Sequence, residues 1–175
     1  MYSKGDYVIY RCKDVCKVTD IGLLHDSTAE RDCVYYYLRP LSYEGLIYVP
    51  VDDEAGLRPL ISRDKARNLL GTLSEMSVPV SHARDKRSLE EHYKALLRPN
   101  DCTALARTVK SIYSKNHEGA RQHLSAFEEQ ILRQTELTLC EELAIALGET
   151  HHKDPTHHRQ PQDTPKTTYK HPPPT

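Results

Sequence analysis

The chain has 175 residues, of which 38% are hydrophobic and 28% are charged, and its formal net charge is −1. This composition is typical of a globular protein with a modest core, and the length suits one ordinary domain or two small ones. The sequence has no run of roughly eighteen apolar residues, which excludes a transmembrane helix, and its start lacks the apolar segment of a signal peptide. We therefore expect a cytoplasmic protein whose five cysteines remain thiols.

The charge is distributed unevenly along the chain. Residues 1–60 hold 7 Lys/Arg and 10 Asp/Glu, residues 61–121 hold 12 and 7, and residues 122–150 hold 1 and 6. A basic middle segment between acidic flanks is compatible with a polyanionic partner. Solvated helix faces produce the same distribution, so both interpretations stay open.

The first sixty residues have the pattern of short β-strands. Four segments rich in Val, Ile and Tyr, at residues 7–10, 15–21, 34–38 and 46–49, are separated by turn signals that include Gly22. Strands this short must curl to bury one face, which predicts a small Tudor- or SH3-like β-barrel. In the run Tyr35-Tyr36-Tyr37, alternate rings should point inward and outward, so the outward ones are either surface residues or part of a protein interface.

Helical patterns replace the strands after Pro59. Ser62 can cap a first helix over residues 63–73, and Ser88 with Glu91 forms the pattern of a capping box that opens a second helix. Asp101 can cap a third helix.

The fourth predicted helix is the longest. Ser125 and Glu128 form a second capping-box pattern at its start, and Gly148 is a typical C-terminal stop. Four helices with short connections predict a compact α-helical domain.

These patterns predict an α+β protein in three parts: a barrel over residues 1–61, a four-helix domain over residues 62–149 and a tail over residues 150–175. The tail is rich in His, Pro and Thr and cannot bury enough apolar surface to fold, so we expect it to be disordered. Its His-His pairs could bind a transition metal without any functional role.

No pattern of catalytic residues is present, which argues against an enzyme, a cofactor and a small-molecule substrate. The sequence has no phosphate-binding glycine loop, nucleophile elbow or His-Glu-x-x-His helix. The cysteines do not form the Cys-x2-Cys pairs of a zinc site, so we expect no bound metal. Cys12, Cys16 and Cys33 should be ordinary buried or half-buried side chains, and Cys102 and Cys140 should pack in the core of the predicted helices.

The order of these segments resembles a known family. Residues 4–10 (KGDYVIY), 36–40 (YYLRP), 46–51 (LIYVPV) and 56–62 (GLRPLIS) are similar to the barrel strands of the CarD-like bacterial transcription regulators. Their barrel is shared with the RNA-polymerase-interacting domain of the transcription-repair coupling factor. The resemblance extends over residues 1–148 and is more specific in the barrel than in the helices.

The resemblance implies that the barrel docks on the β subunit of RNA polymerase by adding an edge strand to a sheet of that subunit. Main-chain hydrogen bonds and alternate side chains would supply affinity and selectivity. The matching segment makes Leu46, Ile47, Tyr48 and Val49 the candidate polymerase-binding residues. Because alternate residues of a strand face the core, about half of these four should be interior.

The resemblance also implies that the helical domain lies beside promoter DNA at the upstream edge of the melted region. Because this chain departs from the family there, we expect a weak contact without sequence specificity. In the family, a tryptophan at the start of the second helix acts as a wedge in the minor groove, and nearby basic residues bind phosphates. This chain has no tryptophan, and Leu89 occupies that position. The candidate DNA-binding residues are Arg84, Lys86, Arg87, Leu89 and Lys94.

Three acidic residues lie where the family is often basic: Glu91, Glu128 and Glu129. Carboxylates repel phosphates, so they favour an alternative function in which the chain is a protein-interaction adaptor that does not contact DNA.

Overall fold

The computed structural model describes residues 1–24, 33–53, 56–81, 83, 85–118 and 124–149. The protein is an α+β structure in which a curled, five-stranded antiparallel sheet, a half-barrel, precedes four helices. The strands are β1 (Tyr7–Tyr10), β2 (Asp14–Leu23), β3 (Val34–Pro40), β4 (Ile47–Pro50) and β5 (Leu57–Pro59). The helices are α1 (Arg63–Thr72), α2 (Lys86–Leu97), α3 (Cys102–Glu118) and α4 (Ala126–Leu147).

All four strands predicted from the sequence are confirmed, and β5 lies in the segment that the resemblance identified as the last strand. The strand order is β4-β3-β2-β1-β5, so within the described residues β4 and β5 are the two edges of the sheet. Gly22 was predicted as a turn residue and instead lies inside β2, because this strand pairs with β3 as far as Leu23 opposite Val34.

One face of the curled sheet forms the first hydrophobic core. Tyr36 and Leu38 of β3 are fully buried there. They pack with buried residues of the other strands, namely Val8, Cys16, Val18, Val49 and Leu57. The alternation predicted for the tyrosines is confirmed, since Tyr36 is in this core whereas its neighbours Tyr35 and Tyr37 are only half-buried.

Most of the predicted helix ends are confirmed. The Asp101 carboxylate accepts a hydrogen bond from the Ala104 N–H at 2.7 Å. Ser125 and Glu128 form the complete capping box at the start of α4. Gly148 ends α4 with φ +77°, a left-handed conformation that glycine adopts without strain.

Two helix starts differ from the prediction. The N-cap of α2 is Asp85, whose carboxylate accepts from the Ser88 N–H at 2.9 Å. The predicted capping box of Ser88 and Glu91 is therefore wrong, because Asp85 opens the helix three residues earlier. Ser62 does occupy the N-cap position of α1, but its side chain makes no capping hydrogen bond.

The cysteines follow the predicted burial with one exception, Cys140. Cys12, Cys16 and Cys102 are buried, and burial raises the pKa of the Cys16 thiol to about 12. Cys33 lies just before β3 and is half-buried, and Cys140 is exposed on α4. The prediction that Cys140 packs in the core was wrong because it lies on the outer face of that helix.

The sheet and the helices pack directly on each other. Arg58 of β5 forms a bidentate ion pair with Glu142 of α4, with N–O distances of 2.6 and 2.8 Å. The same carboxylate accepts from the Ile61 N–H at 2.9 Å. Cys12, from the turn between β1 and β2, belongs to a core cluster that also contains Leu105 of α3. These contacts fix how the sheet meets the helices.

The remaining expectations concern membrane-spanning helices and the C-terminal tail. None of the helices in the described part of the chain combines the length and the apolar character that a membrane span requires. The predicted disordered tail, residues 150–175, lies outside the described residues, as do its histidines.

Candidate docking edge and basic surfaces

Strand β4 directs part of its main chain toward the free edge of the sheet. The Val51 N–H donates to the Val34 carbonyl oxygen at 2.8 Å, so these two residues form a hydrogen-bonded pair. Such pairs alternate along an antiparallel ladder, and in this register Val49 and Ile47 bond to β3, while Tyr48 and Pro50 lie at non-hydrogen-bonded positions. The N–H and C=O of Tyr48 therefore point away from β3, and Pro50 has no N–H at all.

The side chains of the predicted docking residues separate into two groups. Val49 is buried in the sheet core and Ile47 packs against that core, so these two are interior residues. Tyr48 is 43% exposed, and Leu46, just before the strand, is 44% exposed. Leu46 and Tyr48 thus combine an accessible side chain with a place on the edge strand or directly beside it.

Leu89, the residue at the family's wedge position, faces the protein interior. It is 3% exposed and belongs to a core cluster with Tyr93 and Ile112. In this conformation the Leu89 side chain is not available for contact with DNA, so its inclusion among the DNA-binding candidates is corrected. Leu89 lies four residues before Tyr93, and residues with this spacing share one face of a helix.

The basic candidates on α2 are exposed, but each is paired on its own helix. The Lys86 ammonium lies 3.7 Å from Glu90, and Lys94 lies 3.6 Å from the other oxygen of the same carboxylate. Arg87 lies 3.3 Å from Glu91. Exposed pairs of this kind contribute little stability and leave the cations accessible.

One predicted DNA-binding residue, Arg84, lies outside the described residues.

Glu128 is not the surface carboxylate that the sequence suggested. It is buried, and it accepts hydrogen bonds from the Lys115 ammonium at 2.6 Å and from the Tyr93 hydroxyl at 3.0 Å. Burial alone would raise the pKa of Glu128, but the contacts from Lys115, Ser125 and Tyr93 lower it below its usual range. Glu128 therefore holds α4 against α2 and α3, and of the two acidic residues at this helix start only Glu129 is exposed.

A groove of about 620 Å³ lies where the sheet meets the end of α2. We call it the basic groove, because its lining holds four cationic side chains and one carboxylate. The cations are Arg11, Lys13, Lys94 and Arg98, and the carboxylate is Asp53. Tyr10, Tyr48, Val49 and Leu97 add apolar surface. This groove could not be predicted from the sequence, because its walls come from four segments that are distant in the chain.

No known protein-family model matches the chain, and no curated protein matches it significantly. Among the described residues, no group of three or more His, Cys, Asp or Glu side chains is arranged to hold a metal ion.

Proposed function

We propose that this chain is a transcription regulator that docks on the β subunit of RNA polymerase through β4 and modulates the stability of the open promoter complex through its helices. The proposal begins with the resemblance of the strand segments to the CarD-like family. The observation that carries it further is that β4 has no partner strand on its outer side among the described residues, with Tyr48 exposed on it.

Docking by strand addition needs unpaired main-chain groups and side chains that can select the partner. Tyr48 offers both, since its N–H and C=O point away from β3 and its ring lies on the outer face. Pro50 limits the docking register, because it accepts hydrogen bonds but cannot donate one. The half-barrel of five short strands is also compatible with the Tudor- or SH3-like identity that the family implies.

The DNA part of the proposal depends on electrostatics alone. Lys86, Arg87 and Lys94 are exposed and could contact phosphates, which positions a protein on DNA without reading its sequence. With Leu89 buried, α2 has no apolar side chain available at the wedge position. We therefore propose phosphate contacts at the upstream edge of the melted region without a wedge.

The adaptor alternative keeps the docking edge and omits the DNA contact. The observation that favours it is that each described basic candidate on α2 has an acidic partner within 4 Å, at 3.3, 3.6 or 3.7 Å. Under this alternative the chain would bind a protein partner through β4 and leave promoter opening unchanged.

The test is binding of the full chain to the isolated lobe of the polymerase β subunit. We expect Tyr48→Glu to abolish binding, because it adds a charge at the centre of the docking strand. Leu137→Glu is the matched control, since Leu137 is similarly exposed but lies on α4, and it should bind as wild type. Binding by Tyr48→Glu at wild-type affinity would contradict the proposal. Capture of polymerase without any change in open-complex lifetime would favour the adaptor.

A further inference from the structure

The basic groove is built on unusual backbone geometry. Arg11, Cys12 and Asn100 have φ values of +50°, +57° and +51°, and they are the three non-glycine residues with positive φ in the part of the chain that the structure describes. All three line the groove. Left-handed conformations cost free energy for residues with a Cβ and concentrate at functional positions.

Turn geometry explains only part of this pattern. Arg11 and Cys12 connect β1 to β2 in a tight turn closed by the Lys13 N–H and the Tyr10 carbonyl at 3.0 Å, a position where Asn-Gly is the usual choice. Cys12 has a packing role, because it is buried in the core cluster shared with the helices. Arg11 has no such role: its side chain is exposed and its guanidinium lies 5.1 Å from the centre of the Tyr10 ring.

The groove is held in shape by contacts from several elements. The Cys12 thiol donates to the Asn100 side-chain oxygen at 2.7 Å, and the Arg11 N–H donates to the Gly56 carbonyl at 2.8 Å. On the other side, the Lys13 carbonyl accepts from the Gln134 amide at 2.7 Å and from the Thr138 hydroxyl. A turn that is clamped in this way is pre-organised, so a ligand would not have to order it.

The charges of the groove are only partly neutralised. Lys13 and Arg98 form no ion pair with any described residue, whereas Lys94 lies 3.6 Å from Glu90. Asp53 is the single carboxylate in the lining. Arginine and lysine side chains that converge on one concave surface are typical of phosphate recognition.

The lining of the groove combines its cations with aromatic and aliphatic side chains. The groove volume of about 620 Å³ is that of a small-molecule site, and Tyr10, Tyr48 and Leu97 provide an apolar wall that suits an aromatic base. A nucleotide carries both a phosphate chain and an aromatic base, so it matches the cations and the apolar wall together, whereas inorganic phosphate matches only the cations. We propose that the basic groove is a binding site for a nucleotide, with its phosphates at Lys13 and Arg98 and its base against the apolar wall.

The experiment is calorimetric titration of the full chain with ATP and, separately, with inorganic pyrophosphate. We expect saturable one-to-one binding of ATP, with pyrophosphate binding roughly tenfold more weakly because it has no base. The double variant Lys13→Glu/Arg98→Glu should lower the ATP affinity by roughly tenfold or more. Lys65→Glu/Arg67→Glu, the same change of charge at exposed positions of α1 outside the groove, should bind ATP as wild type. Circular dichroism would verify that both variants fold.

Several results would overturn the proposal. These are the absence of ATP binding, an equal loss in both double variants, and equal affinity for pyrophosphate and ATP. The groove would instead be a DNA contact if binding of duplex DNA depended on Lys13 and Arg98 and ATP did not compete with that DNA. Neither residue belongs to β4, so a failure here is distinguishable from a failure of polymerase docking.

Discussion

Tyr48 of β4 lies edge-on against Tyr37 of β3, with their ring centroids 5.1 Å apart and their planes at 85°. The two residues face each other at a non-hydrogen-bonded position, where cross-strand side chains approach most closely. The Tyr37 hydroxyl donates to the Leu23 carbonyl at 2.8 Å, which fixes its ring. The Tyr48 ring therefore packs against Tyr37 on one side and remains partly exposed to solvent, while its main-chain N–H and C=O point to the outer edge of the sheet.

Replacing Ser125 with alanine should destabilise the protein by about 1 kcal/mol, because the hydroxyl accepts from the Glu128 N–H and caps α4. Ser62→Ala is the control, since Ser62 holds the equivalent N-cap position of α1 without a side-chain capping bond and should change the free energy of unfolding much less. Urea denaturation measures both. Equal losses in the two variants would contradict the difference in capping.

Replacing Arg58 with methionine should destabilise the protein by about 3–5 kcal/mol, because it leaves the buried Glu142 carboxylate without its charged partner. Adding Glu142→Gln should recover part of this loss, since glutamine removes the charge and can still accept from the Ile61 N–H. The two variants are compared by urea denaturation. An effect of Arg58→Met below about 1 kcal/mol would mean that the ion pair does not hold the sheet to the helices.

The sequence predicted which strands and helices form better than it predicted where each helix begins and which of its residues are buried. Alternation of Tyr, Ile and Val identified the strands, and Tyr36 is in the core as expected. The start of α2 was placed three residues late because both Asp85 and Ser88 are good N-caps, and only the hydrogen bond between them reveals which one caps. The burial of Leu89 could have been deduced from its spacing to Tyr93, but the resemblance to a wedge position pointed the other way.

The surfaces were less predictable. The sequence suggested that the edge strand would carry exposed residues, but not that Tyr48 alone within β4 would be exposed, because this depends on the pairing register. The burial of Glu128 beside Lys115 could not be predicted either. The charge of this segment and the capping pattern of Ser125 and Glu128 depend only on neighbouring residues in the sequence, whereas Lys115 comes from a different helix. Residues 11, 56 and 98 meet at the basic groove only through the packing of the sheet on the helices.

Glu141 should contribute a decrease in stability as the pH rises through the weakly acidic range. Burial and the neighbouring Asp14 raise the pKa of Glu141 to about 7 from 4.5. Between these values the folded chain holds more protons than the unfolded chain, so the free energy of unfolding decreases with increasing pH. In wild type, the free energy of unfolding should decrease between about pH 5 and about pH 8. Glu141→Gln should make this decrease smaller by about 2–3 kcal/mol, measured by urea denaturation at both pH values. A variant with the same pH dependence as wild type would contradict this origin.

Replacing Arg87 with glutamate should weaken binding to promoter DNA and reduce the slope of log affinity against log salt by about 1. Glu91→Gln should have the opposite effect on affinity, because it releases Arg87 from its partner at 3.3 Å. Lys65→Glu on α1 is the control with the same change of charge. An unchanged salt slope for Arg87→Glu would remove Arg87 from the DNA contacts.

The most direct test of strand addition is a comparison of Tyr48→Ala and Tyr48→Pro in binding to the polymerase β lobe. Both variants lose the ring, but only proline also removes the N–H that points to the free edge, and no bond to β3 is broken. We predict that Tyr48→Pro binds roughly tenfold more weakly than Tyr48→Ala, with circular dichroism unchanged in both. Equal affinity of the two folded variants would show that the edge of β4 does not pair with the polymerase.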